Sequence, residues 1–421
     1  MAEVNASIIT IGDELLIGQV VDTNSAFIAQ ALNKIGVWVK RRIAIADDKA
    51  AILKTLANEA KESNILIITG GLGPTADDIT KPALCEYFET ELIENEDAVQ
   101  NVKNIFQRLG RPLTERNLAQ GLVPANCTVL QNQRGTAPGM WFQKDDVVYI
   151  SLPGVPHEMI GLMHSSVLFA IKKHFQLPAI VHRTLLTAGQ GESFIADTLV
   201  GFEAALPSFI KLAYLPVYGT IKLRLTGRGD DKEALEKEVE KQFQKLKSLV
   251  VQWLVADEDI TMQEAVSRLL KERKKTVATA ESCTGGYIAH LITSLAGSSN
   301  IFNGSVVAYS NEVKENVLSV KSDTLKAYGA VSEQTVTQMA AGICQLLKTD
   351  YALATSGIMG PDGGSTEKPV GTVWIAVANK EGKIKAQKFN FRFDRGRNIE
   401  LTAMAALTML RNFVREGSQV D

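Results

Sequence analysis

The sequence predicts an α/β protein of several domains, and three observations lead to that fold class. Residues 1 to about 170 alternate short β-type runs with helical patterns, which implies parallel βαβ units covered by helices. From about Pro178 to Gln252 the texture changes to strand-like runs followed by one highly charged helix, the mark of a small α+β module. Alternation then returns from about Thr261 to the end. At ~150 residues per domain, 421 residues allow two or three domains. The expected bounds are 1–172, 178–255 and 260–417.

In the first domain, Ser7–Ile11, Asn64–Thr69 and Val147–Leu152 read as strands, and Asn24–Ile35, Lys49–Glu62 and Ile79–Glu89 as helices. In the connector, Val181–Thr187, Ala213–Val217 and Ile221–Gly227 read as strands, and the Glu/Lys spacing of Asp231–Leu249 marks a solvated helix. The third unit reads as helix, strand, helix, strand, two helices and three strands (Tyr351–Thr355, Thr372–Ala378, Lys385–Phe393), closed by a helix over Asn398–Glu416.

Composition narrows the function classes. Hydrophobic content of 45% and charged content of 22% allow each domain a proper core. A formal net charge of -2 gives no basic footprint for nucleic acid. No run approaches the ~18 apolar residues that span a bilayer, and the Met1-Ala2-Glu3 start has no signal-peptide pattern. Cys85, Cys127, Cys283 and Cys344 form no C-x-x-C pair, so disulfides and zinc are not expected and a cytoplasmic location is.

Three loops of the first domain follow its expected strands: Gly12–Leu16, Thr69–Asp78 and Pro153–Glu158. Ligands bind at this edge of open α/β sheets. The run Gly70, Gly71 and Gly73 lets backbone N–H groups approach an anion. Asp13, Glu14, Asp77, Asp78 and Glu158 bring acids beside it, an arrangement that suits a divalent metal bridging carboxylate and phosphate oxygens. Singly, each acid could instead cap a helix or sit in its first turn. Gly71–Ala76 matches G-x-G-x-x-A, but Pro74 in the turn and the lack of a ribose acid weaken a dinucleotide reading, and no Walker A loop is present.

In the third domain the turn Ala280–Gly286 places a hydroxyl and a thiol between a β-run and a helix, beside Gly285 and Gly286. That suits a nucleophile with an oxyanion site, or an ordinary N-cap. His290 is the domain's one histidine and reads as a helix-face or core residue, so a Ser-His-Asp triad is not available. A lysine whose pKa is lowered by burial can replace it, and Lys314 is the candidate. Tyr309 could orient Ser282 or donate to the oxyanion; Cys283 is the rival nucleophile. Arg395 and Arg397 could hold a phosphate, and the Ser356–Gly364 loop could cradle phosphate or ribose.

The runs Gly12–Leu16, Asp22–Ser25, Thr69–Thr75 and Pro153–Pro156 resemble the molybdopterin-binding-like domain of the CinA (competence-damage inducible) family. Ala280–Gly286, Tyr309–Lys314, Gly329–Glu333, Ser356–Pro361, Lys368–Trp374 and Asp394-Arg395 resemble its C-terminal, PncC-type amidase domain. The resemblance covers the whole chain. It implies a three-layer α/β/α N-terminal domain acting as a metal-dependent ADP-ribose pyrophosphatase, with Thr69, Gly70, Gly71, Gly73, Thr75 and Asn24 on phosphate, and Asp13, Glu14, Asp77, Asp78 and Glu158 on Mg, Mn or Co, with potassium as a further candidate ion. It implies a KH-type connector, although no Gly-x-x-Gly loop stands there. It implies an α/β amidase of nicotinamide mononucleotide needing no cofactor. There Ser282, Tyr309, Lys314 and Arg395 are catalytic, and Thr284, Gly285, Gly286, Ser356, Gly357, Gly360 and Arg397 bind substrate. A homodimer with no membrane or nucleic-acid partner is expected. The alternatives are a molybdopterin-binding module and a non-enzymatic protein of DNA uptake.

Overall fold

A computed structural model describes residues 4–73, 75 and 78–416. The chain divides into two compact units, Met1–Val181 with Arg228–Glu236, and His182–Gly227 with Lys237–Asp421.

The first unit is built on a six-stranded sheet of β1 (Asn5–Ile11), β2 (Trp38–Ile45), β3 (Ile65–Thr69), β6 (Thr128–Leu130), β7 (Gly139–Lys144) and β8 (Val147–Leu152), in the order β2-β1-β3-β8-β7-β6. β4 (Leu92–Glu94) and β5 (Leu122–Pro124) form a separate antiparallel pair. Side chains alternate between two cores: Ile8, Ile65, Ile67, Val148 and Ile150 on one face, Ile9, Leu66, Ile68 and Tyr149 on the other. A sheet buried on both faces needs continuous apolar strands, which is why these three were legible. Two features differ from the expectation. β7 runs antiparallel to both of its neighbours, β8 and β6, so the sheet is mixed. Strand β2 was not expected, because as an edge strand it leaves Trp38, Lys40, Arg41 and Arg42 exposed and lacks an apolar run.

The connector sheet has the order β10-β11-β9-β12, from β9 (Ala179–Ala188), β10 (Ile210–Val217), β11 (Thr220–Gly229) and β12 (Leu254–Ala256). β10 and β11 form a hairpin whose tip is Tyr218-Gly219. An unexpected helix, Glu192–Ala204, precedes it.

The C-terminal sheet has the order β14-β13-β15-β16-β17, from β13 (Val277–Glu281), β14 (Phe302–Val307), β15 (Tyr351–Gly357), β16 (Thr372–Asn379) and β17 (Ile384–Asn390). The first three are parallel and the last two antiparallel. Period-two alternation again sorts the faces. Val277, Leu353, Val373, Ile375 and Val377 pack under the helices Met262–Glu272, Tyr287–Thr293 and Arg395–Glu416. Ala278, Ala280, Ala352, Ala354, Ala376 and Ala378 face the helix Glu333–Leu347, where small side chains permit close approach. Three helices rather than two lie between β14 and β15: Asn311–Asn316, Ser322–Tyr328 and Glu333–Leu347. Lys314 sits on the first of these, a short helix.

The connector is joined to this domain. Val255 and Ala188 pack against the C-terminal core. Arg411, only 9% exposed, donates to the carbonyls of Leu254 and Val255 at 3.0 and 2.8 Å.

Candidate active site

β13 lies between two parallel neighbours and delivers Ser282 to their carboxyl edge. The Ser282 N–H donates to Thr355 O at 3.0 Å, which ties the turn to β15. The chain then reverses through Gly285 (φ +61°) and Gly286 (φ +96°), left-handed conformations that favour glycine. The fully buried Glu281 holds the turn from beneath. Its carboxylate accepts from the N–H groups of Gly286 (3.1 Å), Ile288 (3.0 Å) and Ala289 (2.8 Å) and from Thr284 Oγ1 (2.7 Å). An anion at a helix N-terminus satisfies its orphan donors and suits its dipole. Thr284 also shares a bond with Thr355 Oγ1 at 2.9 Å. Among the described residues, the N–H groups of Cys283 and Thr284 have no partner in another residue, which leaves two adjacent donors beside the Ser282 hydroxyl.

Lys314 Nζ lies 3.2 Å from Ser282 Oγ, with Lys314 1% exposed and Ser282 9%. The carbonyls of Ala308, Tyr309 and Ser310 surround the amine at 2.7, 3.3 and 3.4 Å. Burial holds the Lys314 pKa below the usual lysine range, because it penalises the charged form. Nζ donates to the Ser282 hydroxyl and to these carbonyls; once deprotonated, the amine turns a lone pair to the serine proton. That is the pairing of nucleophile and base.

Cys283 does not share this place. It belongs to the apolar core, and burial pushes its thiol up to about 12, so it stays a neutral thiol near pH 7. His290 is exposed on its helix and stacks on Tyr287, with ring centroids 6.2 Å apart.

The remaining candidates divide. Arg395 donates to Tyr309 Oη at 3.0 Å and to Gly360 O at 2.9 Å, so these three residues come together. Tyr309 is 63% exposed, and its hydroxyl is engaged with Arg395 rather than Ser282. Arg397 does not join them: its guanidinium lies 4.0 Å from the Phe393 ring centroid and 5.6 Å from that of Tyr218, because residues two apart on a helix face different ways. Ser356 is 1% exposed and donates to Ala330 O at 2.7 Å, away from a ligand. Gly357 ends β15 where an added Cβ would stand 2.7 Å from Val373, so packing fixes it. Thr284 is bound to Glu281 and Thr355 and shapes the turn. Glu281, Thr355 and the fully buried Asn398, which donates to Met359 O and Phe393 O, were missed. A charge closing the buried strand Val277–Glu281 was the available signal for Glu281.

In the first unit a cavity of about 120 Å³ opens at the carboxyl ends of β1, β3 and β8, lined by Thr10, Glu14, Asp22, Asn24, Thr69, Gly70 and Gly154 among others. Asn24 Nδ2 donates to Gly154 O at 2.7 Å and to Thr69 Oγ1 at 3.2 Å, and Thr69 donates to Pro153 O at 2.9 Å. Among the described residues the buried Asn24 Oδ1 has no partner.

Several donors of the expected anion nest are taken up internally. Asp78 accepts from the N–H groups of Gly73 (2.7 Å) and Thr75 (2.9 Å) and from the Thr75 hydroxyl, closing the loop on itself. Gly70 donates to Leu152 O at 3.2 Å. Added Cβ atoms would meet Ile11 O at Gly70 and Thr80 Oγ1 at Gly71, both at 2.2 Å, so close packing demands these glycines. The four described acids, Asp13, Glu14, Asp78 and Glu158, also do not converge. Asp13 and Asp47 each accept from the other's backbone N–H at 3.3 Å. Glu158 accepts from Asn132 Nδ2 at 2.6 Å, and burial raises its pKa. Asp77 lies outside the described residues. Among the described residues no three His, Cys, Asp or Glu side chains gather as metal ligands, so a cation caged by protein alone does not fit; Glu14 and Asp22 are the carboxylates on the cavity wall.

The fold and its sites define a multidomain α/β protein with a buried serine–lysine pair in its C-terminal domain. Three family models match in succession: "Probable molybdopterin binding domain" over residues 7–173, "Damage-inducible protein CinA KH domain" over 182–256 and "CinA C-terminal domain" over 259–414. The chain belongs to the CinA family. It is 47% identical over 411 residues to a CinA-like protein of Cytophaga hutchinsonii, covering 98% of each chain. A CinA-like protein of Flavobacterium psychrophilum is 46% identical, covering 96% of this chain and 97% of its own. Among solved structures, the competence damage-inducible protein A of Klebsiella pneumoniae is 36% identical, covers 36% of this chain and 93% of its own, and has a TM-score of 0.35. Among the described residues no helix is long and apolar enough to cross a membrane.

Proposed function

We propose that the C-terminal domain hydrolyses the amide of nicotinamide mononucleotide to nicotinate mononucleotide and ammonia. The observation that carries this reading is the Lys314–Ser282 pair, 3.2 Å apart and buried. Neutral Lys314 takes the Ser282 proton as Oγ attacks the amide carbon. The tetrahedral oxyanion lies toward the N–H groups of Cys283 and Thr284. Collapse expels the amine, protonated from Lys314, as ammonia and leaves an ester on Ser282. Water, losing its proton to Lys314, hydrolyses that ester, and the proton returns to Ser282. Arg395, with Tyr309 and Gly360, holds the phosphate end of the substrate. The test is ammonia release from the purified full-length chain given nicotinamide mononucleotide.

For the N-terminal domain we propose cleavage of ADP-ribose to AMP and ribose 5-phosphate. The cavity at the carboxyl edge of its parallel strands and the unpaired, buried Asn24 Oδ1 favour a polar ligand there. Mg²⁺ or a related ion retains waters and phosphate oxygens around one or two carboxylates, so Glu14 and Asp22 would hold it, and it would neutralise pyrophosphate charge. Product analysis with ADP-ribose plus Mg, Mn or Co separates this from a molybdopterin-binding role. A cytoplasmic homodimer acting on nucleotides rather than nucleic acid completes the proposal.

A further inference from the structure

We propose that Tyr218, at the tip of the connector hairpin, is a positioning residue for the amidase site, acting through the first turns of the helix Arg395–Glu416. This rests on the reading that Arg395 holds the substrate phosphate.

That helix start is held from two sides. On one, Arg395 donates to Gly360 O and Tyr309 Oη, and Asn398 donates to Met359 O at 3.0 Å. On the other, Arg397, Glu400 and Met404 share one face, at i, i+3 and i+7, and the hairpin tip lies against it. The Tyr218 ring stands 5.6 Å from the Arg397 guanidinium, which also packs on Phe393. Gly219, at φ +69°, approaches so closely that an added Cβ would sit 3.0 Å from Met404 Cβ. Tyr218, Glu400 and Met404 line a cavity of about 200 Å³ together with Tyr287, the first residue of the helix that follows the Ser282 turn.

Among the described residues the Arg397 guanidinium makes no hydrogen bond or ion pair, so stacking alone fixes it. A cation between two aromatic rings is worth a few-fold in an equilibrium at a partly exposed site. Without Tyr218 the Arg397 guanidinium keeps only Phe393, the first turn loses its aromatic contact with the hairpin tip, and the reach of Arg395 is less fixed. A guanidinium off its bidentate geometry loses phosphate affinity, not chemistry at the amide carbon. The consequence is a rise in KM with kcat retained.

The experiment uses the full chain, with Tyr218→Ala, Tyr218→Phe and Arg395→Ala. It reads kcat and KM with nicotinamide mononucleotide and with the riboside that lacks the phosphate, and calorimetric binding of ribose 5-phosphate in metal-free buffer. Tyr218→Ala should raise KM for the nucleotide roughly three- to five-fold, leave the riboside unaffected and weaken ribose 5-phosphate binding by the same factor. Tyr218→Phe, which keeps the ring, should match the wild type. Arg395→Ala should abolish the ribose 5-phosphate signal that Tyr218→Ala weakens. A folded Tyr218→Ala protein with wild-type KM and wild-type phosphate binding overturns the proposal, as does an equal loss for nucleotide and riboside. If the wild type releases no ammonia, the amidase reading fails, and ribose 5-phosphate binding still decides the role of Tyr218. No binding by the wild type, or binding that neither Arg395→Ala nor Tyr218→Ala weakens, overturns it.

Discussion

Lys314 Nζ lies 3.2 Å from Ser282 Oγ although 32 residues separate the two in sequence. Both lie beyond the carboxyl edges of neighbouring parallel strands, Ser282 directly after β13 and Lys314 on the helix following β14. Parallel pairing is what brings such loops together. The pair has measurable consequences.

Lys314 should set the alkaline dependence of the amidase. Burial lowers its pKa, so kcat/KM should rise with pH through a value below the ordinary ~10.4 of lysine. Lys314→Ala should lower the rate by ~10²-fold or more and remove that limb. An unchanged profile would make Lys314 a structural residue.

The same burial couples to stability. Between the lowered folded pKa and the ordinary unfolded one, the unfolded chain binds the extra proton, so folding stability rises with pH across that window. Lys314→Met lacks this contribution. The melting temperature of the variant relative to wild type should therefore fall as pH rises from 7 towards ~10, read by calorimetry at a series of pH values.

Glu281→Gln should destabilise the C-terminal domain by about 1–3 kcal/mol. The carboxylate only accepts, and it accepts from three backbone N–H groups; an amide nitrogen would face a donor with a donor. Amidase activity should fall with stability because the same bonds hold the Ser282 turn. Thermal melts beside ammonia assays check this.

How much was legible follows from these residues. The apolar parallel strands of the two mixed sheets and the turn at Ser282 were readable because period-two burial and a glycine turn leave local patterns. Lys314 was legible as a candidate, but its burial was not: it depends on three carbonyls from its own loop. Asn398 was missed because its partners are backbone groups, which carry no sequence signal; for Glu281 the charge at the end of an apolar strand was a signal, but most of its partners are backbone N–H groups. The N-terminal acids were grouped by loop. Asp78 is spent on Gly73 and Thr75, a local competition for donors that loop membership does not reveal.

A fragment starting near residue 258 carries every residue named for the amidase site. It would remove Leu254 and Val255, the acceptors of Arg411, whose pKa burial pushes down to about 10. Leaving this buried cation unpaired costs about 1–3 kcal/mol or more. The fragment should melt below one starting near residue 179, which keeps β9 and β12. Equal melting temperatures would show that the domain does not need the connector.

The most direct test of the central claim is ammonia release from nicotinamide mononucleotide by full-length wild type, Ser282→Ala and Cys283→Ala, with the nucleotide product identified. Wild type and Cys283→Ala should give ammonia and nicotinate mononucleotide, and Ser282→Ala should give neither while remaining folded. No ammonia from the wild type, or activity that survives Ser282→Ala and is lost in Cys283→Ala, would contradict the account.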